Sequence, residues 1–437
     1  MTEPGTSTPP VGDDDDDVPL RLQCAVYGVG MFSTTIHFMM LVAVPLWVHD
    51  MMLTPLMLGI ALGCRPVLSL FLSIHAGNLM DRIGGRRVMI FTATLALVTP
   101  ALYPALPFLW TLIVLQLLSG AADSIGWLGA QTMVGQVLKG RTSYAGRLSA
   151  IIRIGHIVGP PLTGAVWDYW GPWAAFSVIS FCGIGGLISA AMLPKAAPRT
   201  DGRAGAPETP AARFTLRDLV PDPAEYVSAF RMLATPAIAI TVMVGMMVHV
   251  GNNIQGTFYI VWLNEVANIP GTLIGTLIAI ASAAAAGGSL ISAWLRRYIP
   301  PYWLLWFVIW MAIILIAVTP LLGSFVLFAV VLSLRSAFNG IHQPLVITLM
   351  LSTVGPNEKG KIIGLRGTAN RVTSIAAPFL MGAIAQLITE ITGDRTLGLE
   401  ISFYIIGALS TVAMIFIAWR MTKHPEIHDI PRGNRGA

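Results

Sequence analysis

Chemistry in this chain has to be sought among the charged and polar residues that stand where apolar ones are expected. One carboxylate, Asp123, and five arginines, Arg65, Arg153, Arg335, Arg366 and Arg371, fall inside long apolar runs. An ionisable group at bilayer depth costs at least about 2.5–3.5 kcal/mol on insertion scales, so each is a functional candidate. Asp123 suits either of two roles. A carboxylate in a dry site can take up and release a proton, which makes it a proton-coupling candidate. Alternatively it is the structural partner of Arg153 or Arg65. The arginines exceed the carboxylates by four within these runs. That excess has to find backbone carbonyls, water or an anionic solute, and a planar guanidinium matches carboxylate or phosphate with paired bonds. Arg65, Arg335 and Arg371 lie nearest mid-depth. The other reading of Arg371, with Asn370, is a brace between helices.

Neutral polar residues gather at the same depth: His37; then His249, Asn252, Asn253 and Gln255; then Asn339, His342 and Gln343. A histidine there can relay protons near neutral pH. No metal-ligand spacing, phosphate loop or nucleophile motif is present. The segment around Ser124, SIGWLG, lacks the Gly-x-Ser-x-Gly pattern of a hydrolase elbow. A non-enzymatic protein that uses no cofactor or metal is therefore expected.

The elements that must position these residues are helices. Of the 437 residues, 55% are hydrophobic and 11% charged, against about 25% charged in a soluble domain. Crossing the hydrocarbon takes about 20 apolar residues. Twelve such runs are legible, at 22–47, 55–77, 87–107, 109–134, 147–168, 173–193, 236–263, 271–295, 302–321, 323–350, 362–388 and 399–420. Backbone groups in lipid must bond within their own segment, so all are read as helices. With the N-terminus in the cytoplasm, 21 of the 27 basic residues fall on the cytoplasmic side and Arg395 alone falls outside. The positive-inside rule thus supports a multi-pass protein with both termini cytoplasmic, in a bacterial inner membrane. The net charge of +5 follows from this topology and implies no nucleic-acid partner. Asp50, Asp168, Glu265, Glu390, Asp394 and Glu400 lie at or beyond the outer helix ends.

The division expected is an acidic, disordered tail over 1–19, a six-helix bundle over 20–193, a cytoplasmic linker over 194–232, a second six-helix bundle over 233–420 and a tail over 421–437. The three cysteines sit in apolar runs and imply no disulfides. The halves resemble each other. Gly146, Arg153, Pro160 and Gly164 align with Gly364, Arg371, Pro378 and Gly382 at one offset of 218 residues. Transporters are commonly built from such repeats, with the solute site between them.

The loop GNLMDRIGGRR after the second run resembles motif A of the major facilitator superfamily: Gly77, Asp81, Arg82, Gly84 and Arg86 match, while Gly85 stands where a base is usual. In the fifth run Gly146, Gly155, Gly159, Pro160 and Gly164 resemble the family's motif C, associated with antiporters. The fourth run departs from motif B, with Gln116 in place of its arginine four residues before Gly120. The copy of motif A in the second half, GSLISAWLRR from Gly288, is degenerate, with Ser292 at the aspartate position. The resemblance implies two six-helix bundles rocking about a midplane site, with motif A as conformational switch. It places solute contacts on spans 1, 4, 7 and 10. Substrate-binding candidates are His37, Arg65, Asn252, Asn253, Arg335, Asn339 and Arg371. The expected partners are a small organic solute, protons and the lipid bilayer, and the expected protein is a monomer that exports a small organic solute, an organic anion by the arginine excess, against protons; the alternatives are organic-anion uptake by symport or exchange, and a transporter-like sensor or assembly partner.

Overall fold

The computed structural model describes residues 18–72, 80, 84–138, 142–194, 230–353 and 359–423. These are nearly all helical. Helix α1 covers Leu20–Asp50. Helix α2, Pro55–Gly63, runs on as one apolar stretch to Leu72. Then come α3, Gly85–Ala105, α4, Leu109–Val137, and α5, Thr142–Met192. The second half holds α6, Pro236–Gly256, continued by α7, Phe258–Glu265, then α8, Gly271–Leu295, and α9, Pro301–Ala317. It ends with α10, Phe325–Thr353, α11, Lys359–Thr392, and α12, Arg395–Lys423.

Ten of these stretches are long and apolar enough to cross a membrane, and Pro301–Ala317 is a shorter apolar helix. Helix α5 holds two of the expected spans. Its 51 residues contain a non-helical Gly171 at φ 80, and a straight helix of that length would measure about 75 Å, far more than one bilayer. Along its first leg, 142–170, a Cβ on Gly30 of α1 would meet Leu148 and Ile152, one on Gly155 would meet Thr35, and one on Gly159 would meet Met39, so this leg runs parallel to α1. Along the second leg, 172–192, Gly28 faces Ser189, Phe32 faces Gly185 and Met39 faces Cys182, so this leg runs antiparallel. Gly171 is therefore the turn of a hairpin, at a φ that favours glycine. With α5 counted as two legs and α6 with α7 as one, the described residues hold twelve membrane-directed segments.

The end at which α1 begins carries Arg86, Arg87, Arg147, Arg296, Arg297 and Arg420 and is the basic end. At the far end the buried apolar residues form a single cluster drawn from both halves, including Met39, Leu46, Phe176, Phe258, Trp262, Ile274 and Phe403. At the basic end they form two, one within each half. The halves are thus welded at one end and parted at the other. Large side chains such as Phe91, Trp110, Phe181, Leu290 and Leu409 are exposed around the outside, as expected where lipid is the solvent.

The weld is built from glycines. A Cβ on Gly164 would sit 1.9 Å from the Gly271 carbonyl oxygen, and one on Gly275 would sit 2.2 Å from that of Pro160. The repeat copies do the same between α2 and α11: a Cβ on Gly382 would lie 2.5 Å from the Pro55 oxygen, and one on Gly59 would lie 2.5 Å from that of Pro378. Small residues let backbones touch in this way. Pro160 and Gly164 of the first crossing and Pro378 and Gly382 of the second are the copies offset by 218 residues in the sequence.

Candidate functional site

Two polar centres lie at mid-depth, one in each half. In the first, Gln116, Gly120 and Asp123 share one face of α4 because they stand four and three residues apart. A Cβ on Gly120 would fall 1.8 Å from the Arg65 carbonyl oxygen, so glycine there lets the backbone of the α2 stretch come close. That approach brings the Arg65 guanidinium to both neighbours on α4. Nη2 donates to Asp123 Oδ2 in an ion pair, and Nη1 donates to Gln116 Oε1 at 3.2 Å. His37 Nδ1 of α1 is 2.9 Å from the same Asp123 oxygen. Tyr103 OH of α3 donates to Gln116 Oε1 at 3.0 Å, and Ser119 Oγ donates to Thr99 at 3.3 Å. One network thus ties α1, α2, α3 and α4 together. Asp123 also lines a small crevice of about 20 Å³ with Ser33, Thr92, Gly126, Gly183 and Gly186, room for about one water.

Of the two partners considered for Asp123, Arg65 is the one that binds it. Arg153 is exposed and makes no ion pair with it among the described residues. Gln116, which departs from motif B, bonds to a guanidinium supplied by a different helix. The sequence marked Gln116 as an anomaly without revealing that Arg65 reaches it.

In the second centre, Arg335 of α10 is only 1% exposed. Its Nη2 donates to Asn252 Oδ1 of α6 at 3.2 Å, while Nε and Nη1 are buried without a partner. Asn339, one turn along α10, donates to the same Asn252 oxygen at 2.7 Å. Asn253 turns the other way and donates to the His249 carbonyl at 2.6 Å and to Ser374 Oγ of α11 at 2.9 Å. Arg371, partly buried, makes no hydrogen bond or ion pair among the described residues. The candidates therefore divide: His37 and Arg65 join Asp123, Asn252 and Asn339 join Arg335, Asn253 braces α6 against α11, and Arg371 stands apart.

Of motif A, Gly77, Asp81 and Arg82 lie outside the described residues. Gly84 adopts φ 91 just before α3, a conformation glycine enters without strain. A Cβ on Gly85 would lie 2.3 Å from Met133 Cε of α4, so a side chain there requires that flexible methyl to shift. Arg86 is partly buried with Nε unpartnered. Of motif C, Gly155 and Gly159 seat α1, while Pro160 and Gly164 form the crossing with α8.

At the far end, residues legible in the sequence only as helix-end charges bridge the halves. Asp168 accepts from the Gly271 and Thr272 backbone N–H groups at 2.9 and 2.7 Å, capping α8 from the other half. Arg395 forms paired bonds to Glu265 at 2.5 and 3.1 Å and donates to the Leu53 carbonyl at 2.6 Å. His49 lies 3.4 Å from Glu265.

Over residues 26–378 the chain matches the family model described as Major Facilitator Superfamily. It belongs to that superfamily. Among curated proteins nothing matches. Among solved structures, a bacterial homolog of the human lysosomal transporter Spinster, in an inward-facing and unoccupied conformation, is 13% identical with a TM-score of 0.71, over 94% of this chain and 98% of that one. The nucleoside transporter NupG is 12% identical with a TM-score of 0.69, over 92% and 99%. At this identity the likeness is one of fold. Membership makes this a multi-pass membrane protein of a solute-transporting family.

Proposed function

We propose that this chain is a proton-coupled transporter that exports a small organic solute, with Asp123 as the proton-coupling group. The observation that carries the reading is the joining of Asp123, the one carboxylate within the described mid-depth segments, to Arg65 and His37. A proton on Asp123 would weaken its hold on the arginine, and that change is available to bias one bundle arrangement over another. The adjacent crevice has room for the water that would deliver it. The welded far end and parted basic end suit a state open to the basic side. On this reading the basic side is cytoplasmic, the bundles occupy 20–193 and 233–420, the linker 194–232 is cytoplasmic, and the protein works as a monomer in the inner membrane. Motif C supports export over uptake, and motif A, with Asp81, serves as the switch.

Proteoliposomes test it. Solute movement, screened with organic anions and lipophilic cations, should follow an imposed proton gradient, and Asp123→Asn should abolish gradient-driven accumulation while solute exchange persists. Undiminished accumulation in a folded Asp123→Asn protein rejects the role. Reporter fusions at Ala206 and after Ala437 should both read inside, and Asp81→Asn should remove most flux without loss of expression.

A further inference from the structure

Resting on the transporter reading, the second centre carries a statement about substrate class. Arg335 is the largest side chain that is fully buried, yet two of its three guanidinium nitrogens have no partner. No carboxylate pairs with it among the described residues. Burying a charge without compensation is costly, because the group gives up hydration and receives nothing in return. Its one acceptor among the described residues is the side-chain oxygen of Asn252, and that oxygen also takes the Asn339 amide. Two donors one turn apart on α10 therefore converge on a single oxygen from α6. Asn252 itself is exposed. Glycine at 251 leaves room for the group, since a Cβ there would lie 3.0 Å from Arg335 Nη2.

We infer that Arg335 and Asn339 form a clasp for the carboxylate of an organic anion, and that Asn252 occupies it as a neutral stand-in when the solute is absent. The amide oxygen supplies the acceptor but not the negative charge. An incoming carboxylate supplies both, and its second oxygen can serve the guanidinium nitrogens that now lack partners. Solute binding then amounts to exchange of Asn252 for a better acceptor, and the stand-in lowers apparent affinity by competing. Because α6 and α10 belong to the same half, the exchange alters their contact before the bundles move.

Opposite effects are expected from two changes at one position. Asn252→Asp places a carboxylate permanently in the clasp and should raise the thermal unfolding temperature of the purified protein. Asn252→Ala empties the clasp, exposes the uncompensated charge and should lower it. Sodium formate is the probe, with sodium chloride at equal ionic strength and formamide as the uncharged analogue. The formate-specific stabilisation should be largest for Asn252→Ala, smaller for the wild type, where Asn252 must be displaced, and absent for Asn252→Asp. Asn252→Ser provides the vacancy if the alanine variant does not fold. A fall in stability for Asn252→Asp, or a formate response equal in all variants or matched by formamide, overturns the clasp and leaves Arg335 a structural residue. The measurement involves no flux, so its failure is separate from any failure of proton coupling.

Discussion

The two halves cross their helices in the same way and then furnish the crossings differently. A Cβ on Gly120 would strike the Arg65 carbonyl oxygen at 1.8 Å, and a Cβ on Gly340 would strike that of Ala285 at 2.0 Å. Alanine thus stands in the second half where the first has its arginine. Arg65 is neutralised by Asp123, whereas Arg335, on the neighbouring helix α10, has no carboxylate partner among the described residues. A compensated charge can switch when its partner gains a proton; an uncompensated one has capacity left for a ligand. The repeat specifies how backbones approach, and single side chains then give one half a coupling role and the other a binding role.

The strongest way to break this contrast is to remove the compensation. Asp123→Asn leaves Arg65 buried without its counter-charge, which should cost about 3–5 kcal/mol in thermal unfolding. Adding Arg65→Gln should recover much of that loss, because the orphan charge goes too; simple additivity of the two changes would show that they are not a pair. The shared crossing is probed next. Gly275→Ala and Gly59→Ala each push a methyl into a carbonyl oxygen across the weld, so both should remove most transport, and by similar amounts if the crossings are equivalent. A large effect at one and none at the other, in a flux assay of folded protein, would show that only one crossing must close.

Smaller effects refine the two centres. Gln116→Leu deprives both Arg65 Nη1 and Tyr103 OH of an acceptor, and unpaired buried donors cost about 1–3 kcal/mol; denaturation that matches the wild type would remove Gln116 from the network. Arg335→Lys keeps the charge but loses the planar fork, so solute affinity should fall by roughly tenfold in a competition assay. If lipophilic cations compete for the site and organic anions do not, the arginine is structural. Smallest is Asp168→Ala, which strips a cap supplied from one half to α8 of the other and should cost about 1 kcal/mol, read as a small drop in unfolding temperature.

The helices and the family were legible from the chain alone, because long apolar runs in lipid have one way to satisfy their backbone and because Gly164, Pro160 and their copies recur at fixed spacing. Arg65, Asp123 and Arg335 stood out for a local reason too: a charge among apolar residues is conspicuous wherever it points. Only the tertiary structure decided which of them meet. The sequence left both Arg153 and Arg65 open as partners of Asp123, and the rotation of each helix about its axis settles that choice. That rotation is set by packing, down to whether Gly120 lets the α2 stretch touch α4. The trans cap at Asp168 and the sharing of the Asn252 oxygen by Arg335 and Asn339 depend on the same thing: residues far apart in the chain brought within bonding distance, which no single segment encodes.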